Sequence, residues 1–133
     1  MDKTYRLFIS HSWAYGDAYD RIVEMLDEQG LNYYNHSVPK NDPIHTNGTQ
    51  KQLREAIDAQ MKGTSCVLIL AGIYASFSKW INEEIDIAKS YGKPIIAIEP
   101  WAAEHTSSVV KNNADKIVKW QGSSIVNAIY ELG

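Results

Sequence analysis

Ser65–Gly72, SCVLILAG, is the most hydrophobic run in the chain and the stretch on which the fold turns. It is too short for a buried helix, and its branched apolar residues read as a strand covered on both faces. Working outward, Pro94–Ile98 (PIIAI) repeats the pattern, and Tyr5–Ser10 (YRLFIS) reads as a strand. Leu31–Val38 (LNYYNHSV) is more polar and belongs nearer an edge, and Lys116–Trp120 supplies a fifth strand.

Helix-period stretches lie between these strands. Asp17 is placed to cap a helix whose apolar side carries Ile22, Val23, Met25 and Leu26, with Gly30 closing it. Pro39, Asn41, Asp42 and Pro43 force a loop that runs to Gly48. Thr49 with Gln52 matches a capping box, before a helix with Leu53, Ala56, Ile57 and Met61 on one side. Lys79–Tyr91 (KWINEEIDIAKSY) is a third helix, ended by Gly92. Glu99–Asn113 reads as irregular. Ser123 or Ser124 caps a last helix bearing Ile125, Val126, Ile129 and Leu132.

Strands alternating with helices predict a three-layer α/β domain over residues 1–133, with five parallel strands in the flavodoxin-like order 2-1-3-4-5. Composition agrees: 133 residues, 44% hydrophobic and 22% charged, describe an ordinary globular chain. A net charge of −3 lacks the basic field of a nucleic-acid binder. No apolar run approaches the ~20 residues of a membrane span, and no signal core opens the chain. The single Cys66 fits core packing in a reducing, cytoplasmic setting. The aromatic set, with four Trp and eight Tyr, is left unexplained by composition.

The predicted strand order reverses between the first and third strands, so ligands belong over their carboxyl ends. Ser10–Trp13 and Ala71–Ser78 fall there. Neither the acidic cluster of a phosphate receiver nor the hydroxyl-rich loop of a flavin binder is present. No GxGxxG or P-loop occurs, and the four His and Cys66 show no metal-ligand spacing. In the third helix Ile81, Ile85 and Ala88 form the core stripe, and Trp80, Glu84 and Ile87 a neighbouring one. A carboxylate beside an aromatic surface, in the first turns of a helix facing the crevice and favoured by its dipole, suits a small-molecule site. The plainer alternative is a half-buried Trp on the sheet and a Glu on a solvated helix face. The Pro39–Gly48 loop is long enough to overhang the crevice, and His11 and His45 are within its reach or hydrogen-bonded locally.

Phe8-Ile9-Ser10-His11-Ser12 resembles the first-strand motif of TIR domains, and Trp80-x-x-x-Glu84 resembles their catalytic-glutamate motif. Ser37-Val38-Pro39 with Asp42-Pro43, Leu70-Ala71-Gly72-Ile73-Tyr74, Ser78-Lys79-Trp80-Ile81 and Gly92-Lys93-Pro94-Ile95-Ile96 are similar to the prokaryotic TIR-like group that includes the Thoeris anti-phage subunit. The resemblance implies cleavage of the nicotinamide–ribose bond of NAD, as substrate and not cofactor, by a NAD glycohydrolase or ADP-ribosyl cyclase. The product would be ADP-ribose or a cyclic or conjugated form that signals to a separate effector. It also implies Glu84 as the catalytic carboxylate, Trp80 stacking on the dinucleotide, and Ser10, His11 and Ser12 lining the pocket floor. Asp42, Pro43 and His45 would lie in the loop used for self-association and site completion, and Trp13 at the rim. The sequence departs from many TIR domains in lacking a cysteine after Trp80, and Glu83 adjoins Glu84. A non-catalytic TIR interaction module is the alternative from another class. A nucleoside-processing enzyme with the same kind of Glu is a third.

Overall fold

The computed structural model describes residues 4–10, 18–36, 49–71, 79–99 and 108–133, with the backbone alone at 18, 50, 79, 80 and 108. Five strands and five helices alternate: β1 (Tyr5–Ile9), α1 (Ala18–Glu28), β2 (Tyr33–Asn35), α2 (Gln50–Lys62), β3 (Cys66–Leu70), α3 (Lys79–Ser90), β4 (Ile95–Ile98), α4 (Ser108–Asn113), β5 (Lys116–Val118) and α5 (Gly122–Leu132). The sheet is parallel throughout, in the order β2-β1-β3-β4-β5, as the sequence predicts.

Period-two alternation sorts the central strands onto two cores. Tyr5, Leu7, Ile9, Cys66, Leu68, Leu70, Ile96 and Ile98 face α1 and α5, where they meet Ile22, Leu26, Ile125 and Ile129. Phe8, Val67, Ile69, Ala71, Ile95 and Ala97 face α2 and α3, where they meet Leu53, Ile57, Met61, Ile81 and Ile85. Every residue of β3 and β4 is buried, which is why both read as unbroken apolar runs. Cys66 is one of these core residues.

Helix ends follow local chemistry where they are described. Thr49 accepts from the Gln52 amide at 3.1 Å and Gln52 accepts from the Thr49 amide at 2.9 Å, closing the capping box. Gly30 and Gly92 have φ of 71° and 66°, a left-handed conformation that glycine adopts without a Cβ penalty. The expected cap at Asp17 lies outside the described residues.

The structure differs from the sequence reading at the edge strands, at α4 and at the start of α5. The edge strands are shorter: β2 holds Tyr33–Asn35 and β5 Lys116–Val118, and short edges limit unwanted pairing. Helix α4 occupies the end of the stretch read as irregular. Its six residues, SVVKNN, are too few to display a period. Helix α5 is capped at Gln121 rather than Ser123 or Ser124. The Gln121 carbonyl accepts from Ile125, and Ser124 Oγ instead donates to Gln121 Oε1 at 3.3 Å. Among the described residues no helix is long and apolar enough to cross a membrane.

Candidate active site

Ser10 and Glu84 meet at the carboxyl end of β1. The Ser10 amide donates to the Leu68 carbonyl at 3.1 Å, carrying the β1–β3 ladder one rung past Ile9. Two residues after Phe8, the Ser10 side chain lies on the same face of the sheet, toward α2 and α3. From the opposite side Glu84 projects off α3. It lies three residues beyond Ile81 and four before Ala88, within the arc that the helix buries. Ser10 Oγ donates to Glu84 Oε1 at 3.1 Å, and the two residues are 0% and 1% exposed.

That burial overturns the part of the plainer alternative that concerns Glu84, which does not sit on a solvated helix face; the Trp80 side chain lies outside the described residues. A carboxylate taken from water costs several kcal/mol unless it is compensated. The hydrogen bond from Ser10 returns about 1.5–3 kcal/mol of that. Functional sites are where desolvated carboxylates concentrate. The helix dipole contributes less than the sequence reading assumed. Glu84 lies five positions into α3, and the dipole's effect fades within the first turn.

The neighbouring acid behaves differently. Glu83 is ion-paired with Arg54 of α2 across the α2–α3 contact. Asp86 is exposed. Only Glu84 of these three acids is fully buried, and it alone meets the end of β1.

The carboxyl edge continues through Ala71, whose amide donates to Ile98 at 2.8 Å, to Glu99, whose amide donates to Val118 at 2.8 Å. Sequence reasoning missed the cluster at Glu99, because its cations come from two later elements. Lys119 Nζ lies 2.9 Å from Oε1 and Lys111 Nζ 3.2 Å from Oε2. The Lys119 hydrogen bond, helped by Lys111, holds the Glu99 carboxyl below the ordinary glutamate range, against burial that pushes it up. A carboxyl lowered on folding adds stability that is complete above its unfolded value, near ~4.3, and lost as pH falls through the folded value. Glu99→Gln should therefore lose less stability than wild type between about pH 5 and pH 3. Urea midpoints measured at several pH values across that window test it.

Of the other residues singled out from sequence, His11, Ser12, Trp13, Asp42, Pro43 and His45 lie outside the described residues. So do residues 72–78 and the Pro39–Gly48 loop. The backbone of Trp80 is one turn before Glu84 on α3. Trp120 packs partly buried against the α1–α5 core.

Residues 8–105 match the family model described as the Thoeris protein ThsB, TIR-like domain. No curated protein matches the chain in sequence. Among solved structures, a Clostridium botulinum CMP N-glycosidase, BcmB, is similar with a TM-score of 0.56 at 13% identity, over 95% of this chain and 98% of that one. A 3-dehydroquinate dehydratase-like protein from Bifidobacterium longum is similar with a TM-score of 0.50 at 9% identity, over 99% of this chain and 95% of that one. At such identities the likeness is one of fold.

Proposed function

We propose that this chain, which belongs to the Thoeris ThsB TIR-like domain family, cleaves the N-glycosidic bond between nicotinamide and ribose in NAD, with Glu84 as the catalytic carboxylate. The observation that carries this reading is the buried Glu84 side chain hydrogen-bonded to Ser10 at the carboxyl end of β1. There the strand order reverses, and this fold class places its ligands at that point.

The chemistry asks for one carboxylate. When the C1′–N bond breaks, its electron pair leaves with nicotinamide. The pyridinium nitrogen becomes neutral and needs no proton, unlike the leaving oxygen of a glycoside. The ribose is left as an oxocarbenium-like cation. Glu84 stabilises that charge in a site where burial strengthens the attraction. Water adding at C1′, with loss of a proton, gives ADP-ribose. If water is excluded, a nucleophile within the dinucleotide, such as the adenine, gives a cyclic product instead. Trp80, one turn from Glu84, is assigned to stack on a ring of the dinucleotide. His11, Ser12 and Trp13 line the pocket, and Asp42, Pro43 and His45 complete it on self-association. The product acts as a nucleotide signal to a separate effector in anti-phage defence, and the protein works in the cytoplasm.

A second reading has the same Glu84 cleaving a nucleoside monophosphate. It is favoured by the CMP N-glycosidase of similar fold. Incubation with NAD and with CMP, followed by mass analysis, separates the two. Nicotinamide and an ADP-ribose-derived product from NAD, with CMP intact, support the proposal. Free cytosine with NAD intact supports the second reading.

A further inference from the structure

We infer that Ser10 is a positioning residue for this site: its hydroxyl fixes one oxygen of Glu84 and favours the ionised carboxylate over the protonated acid. The inference rests on the proposed role of Glu84 and adds to it a second group, from an element 74 positions away in sequence.

A serine hydroxyl has one hydrogen, and an ionised carboxylate only accepts. With Ser10 Oγ donating to Oε1 at 3.1 Å, the bond serves the charged form of Glu84. The donor is rigidly held. The Ser10 amide is locked to the Leu68 carbonyl of the central strand, and the residue is fully buried. Glu84 is held in turn by a helix whose Ile81, Ile85, Ile87 and Ala88 are all in the core. The hydrogen bond thus links two elements that are each held in the core, which fixes the carboxylate before substrate arrives and avoids reorganisation during the reaction.

Among the described residues, the charged groups on the elements packed around Glu84 have the following places. On α2, Arg54 pairs with Glu83, Lys51 with Glu55 at 4.0 Å, Asp58 accepts from Tyr91, and Lys62 is exposed. On α3, Asp86 and Lys89 are exposed. On β1, the Arg6 guanidinium lies 5.0 Å over the Tyr34 ring. Strands β3 and β4 carry no charged side chain, and Cys66 faces the other core.

The test compares wild type, Ser10→Ala and Ser10→Cys in nicotinamide release from NAD across pH, with a parallel NMR titration of the carboxyl carbons. The Glu84 signal is identified by its loss in Glu84→Gln. Losing a hydrogen bond to a charged group should lower kcat of Ser10→Ala roughly ten- to a hundredfold, with KM little changed. Ser10→Cys, with a weak donor of similar size, should fall between. The sign follows from the donor's preference: without it Glu84 holds its proton more tightly. The acid limb of the rate profile and the NMR midpoint of Glu84 should both move to higher pH. An unmoved Glu84 titration in both variants overturns the inference, as does a loss of rate uniform across pH. The titration needs no turnover, so it decides Ser10's role even if Glu84→Gln keeps full activity and the proposed function fails. Should Ser10→Ala melt far below wild type, the Ser10→Cys titration decides alone.

Discussion

Glu84→Gln is expected to abolish nicotinamide release, by about a thousandfold or more, while melting close to wild type. The two halves of that result have one cause. Glu84 is 1% exposed and hydrogen-bonded to a neutral hydroxyl. Burial removes that carboxylate from water and strengthens its attraction for a cation forming beside it. Glutamine keeps the shape and still accepts the Ser10 hydrogen bond, but it removes the desolvated charge. A residue whose loss removes activity without loss of stability is held for function rather than for folding. Glu83→Gln serves as the internal contrast. It breaks a pair with Arg54 whose side chains are 27% and 47% exposed, so it should alter stability by at most about 1 kcal/mol and spare the rate. Nicotinamide release and thermal melting of the two variants measure both halves.

The second large effect concerns the scaffold. Leu68 lies at the centre of β3, opposite Ile9 of β1 and Ile96 of β4, and is fully buried in the α1–α5 core. Leu68→Ala removes three carbons from packed surroundings and leaves a cavity. It should cost about 3 kcal/mol, within a range of 2–5. In a chain of this length that lowers the melting temperature by roughly 10 °C. Ile117→Ala on the edge strand β5, where the side chain is 43% exposed, should change stability by no more than about 0.5 kcal/mol. Urea unfolding of both variants tests whether the two-sided central strands dominate the stability.

What was legible in the sequence follows from where information about packing is local. Strands β3 and β4 announce themselves because both faces are buried, so every position is apolar. The order 2-1-3-4-5 follows from the alternation of strands and helices with two-sided strands in the middle. The ends of β2 and β5 were overrun, since a polar edge strand and the turn beyond it look alike in composition. Helix α4 was missed because one and a half turns carry no period. The contrast between Glu83 and Glu84 was legible only as spacing from Trp80. Its physical basis, Arg54 reaching Glu83 from α2, is tertiary. Likewise Ser10 could be placed at the end of β1, but its hydrogen bond to Glu84 depends on where α3 docks. The Glu99 cluster needed α4 and the end of β5 to be located first.

The most direct test of the central claim is nicotinamide release from NAD by the concentrated protein, with wild type, Glu84→Gln and Glu83→Gln assayed side by side and each checked for folding by melting. Release by wild type and Glu83→Gln, with none from a folded Glu84→Gln, is the predicted result. Release by folded Glu84→Gln at the wild-type rate would contradict the account.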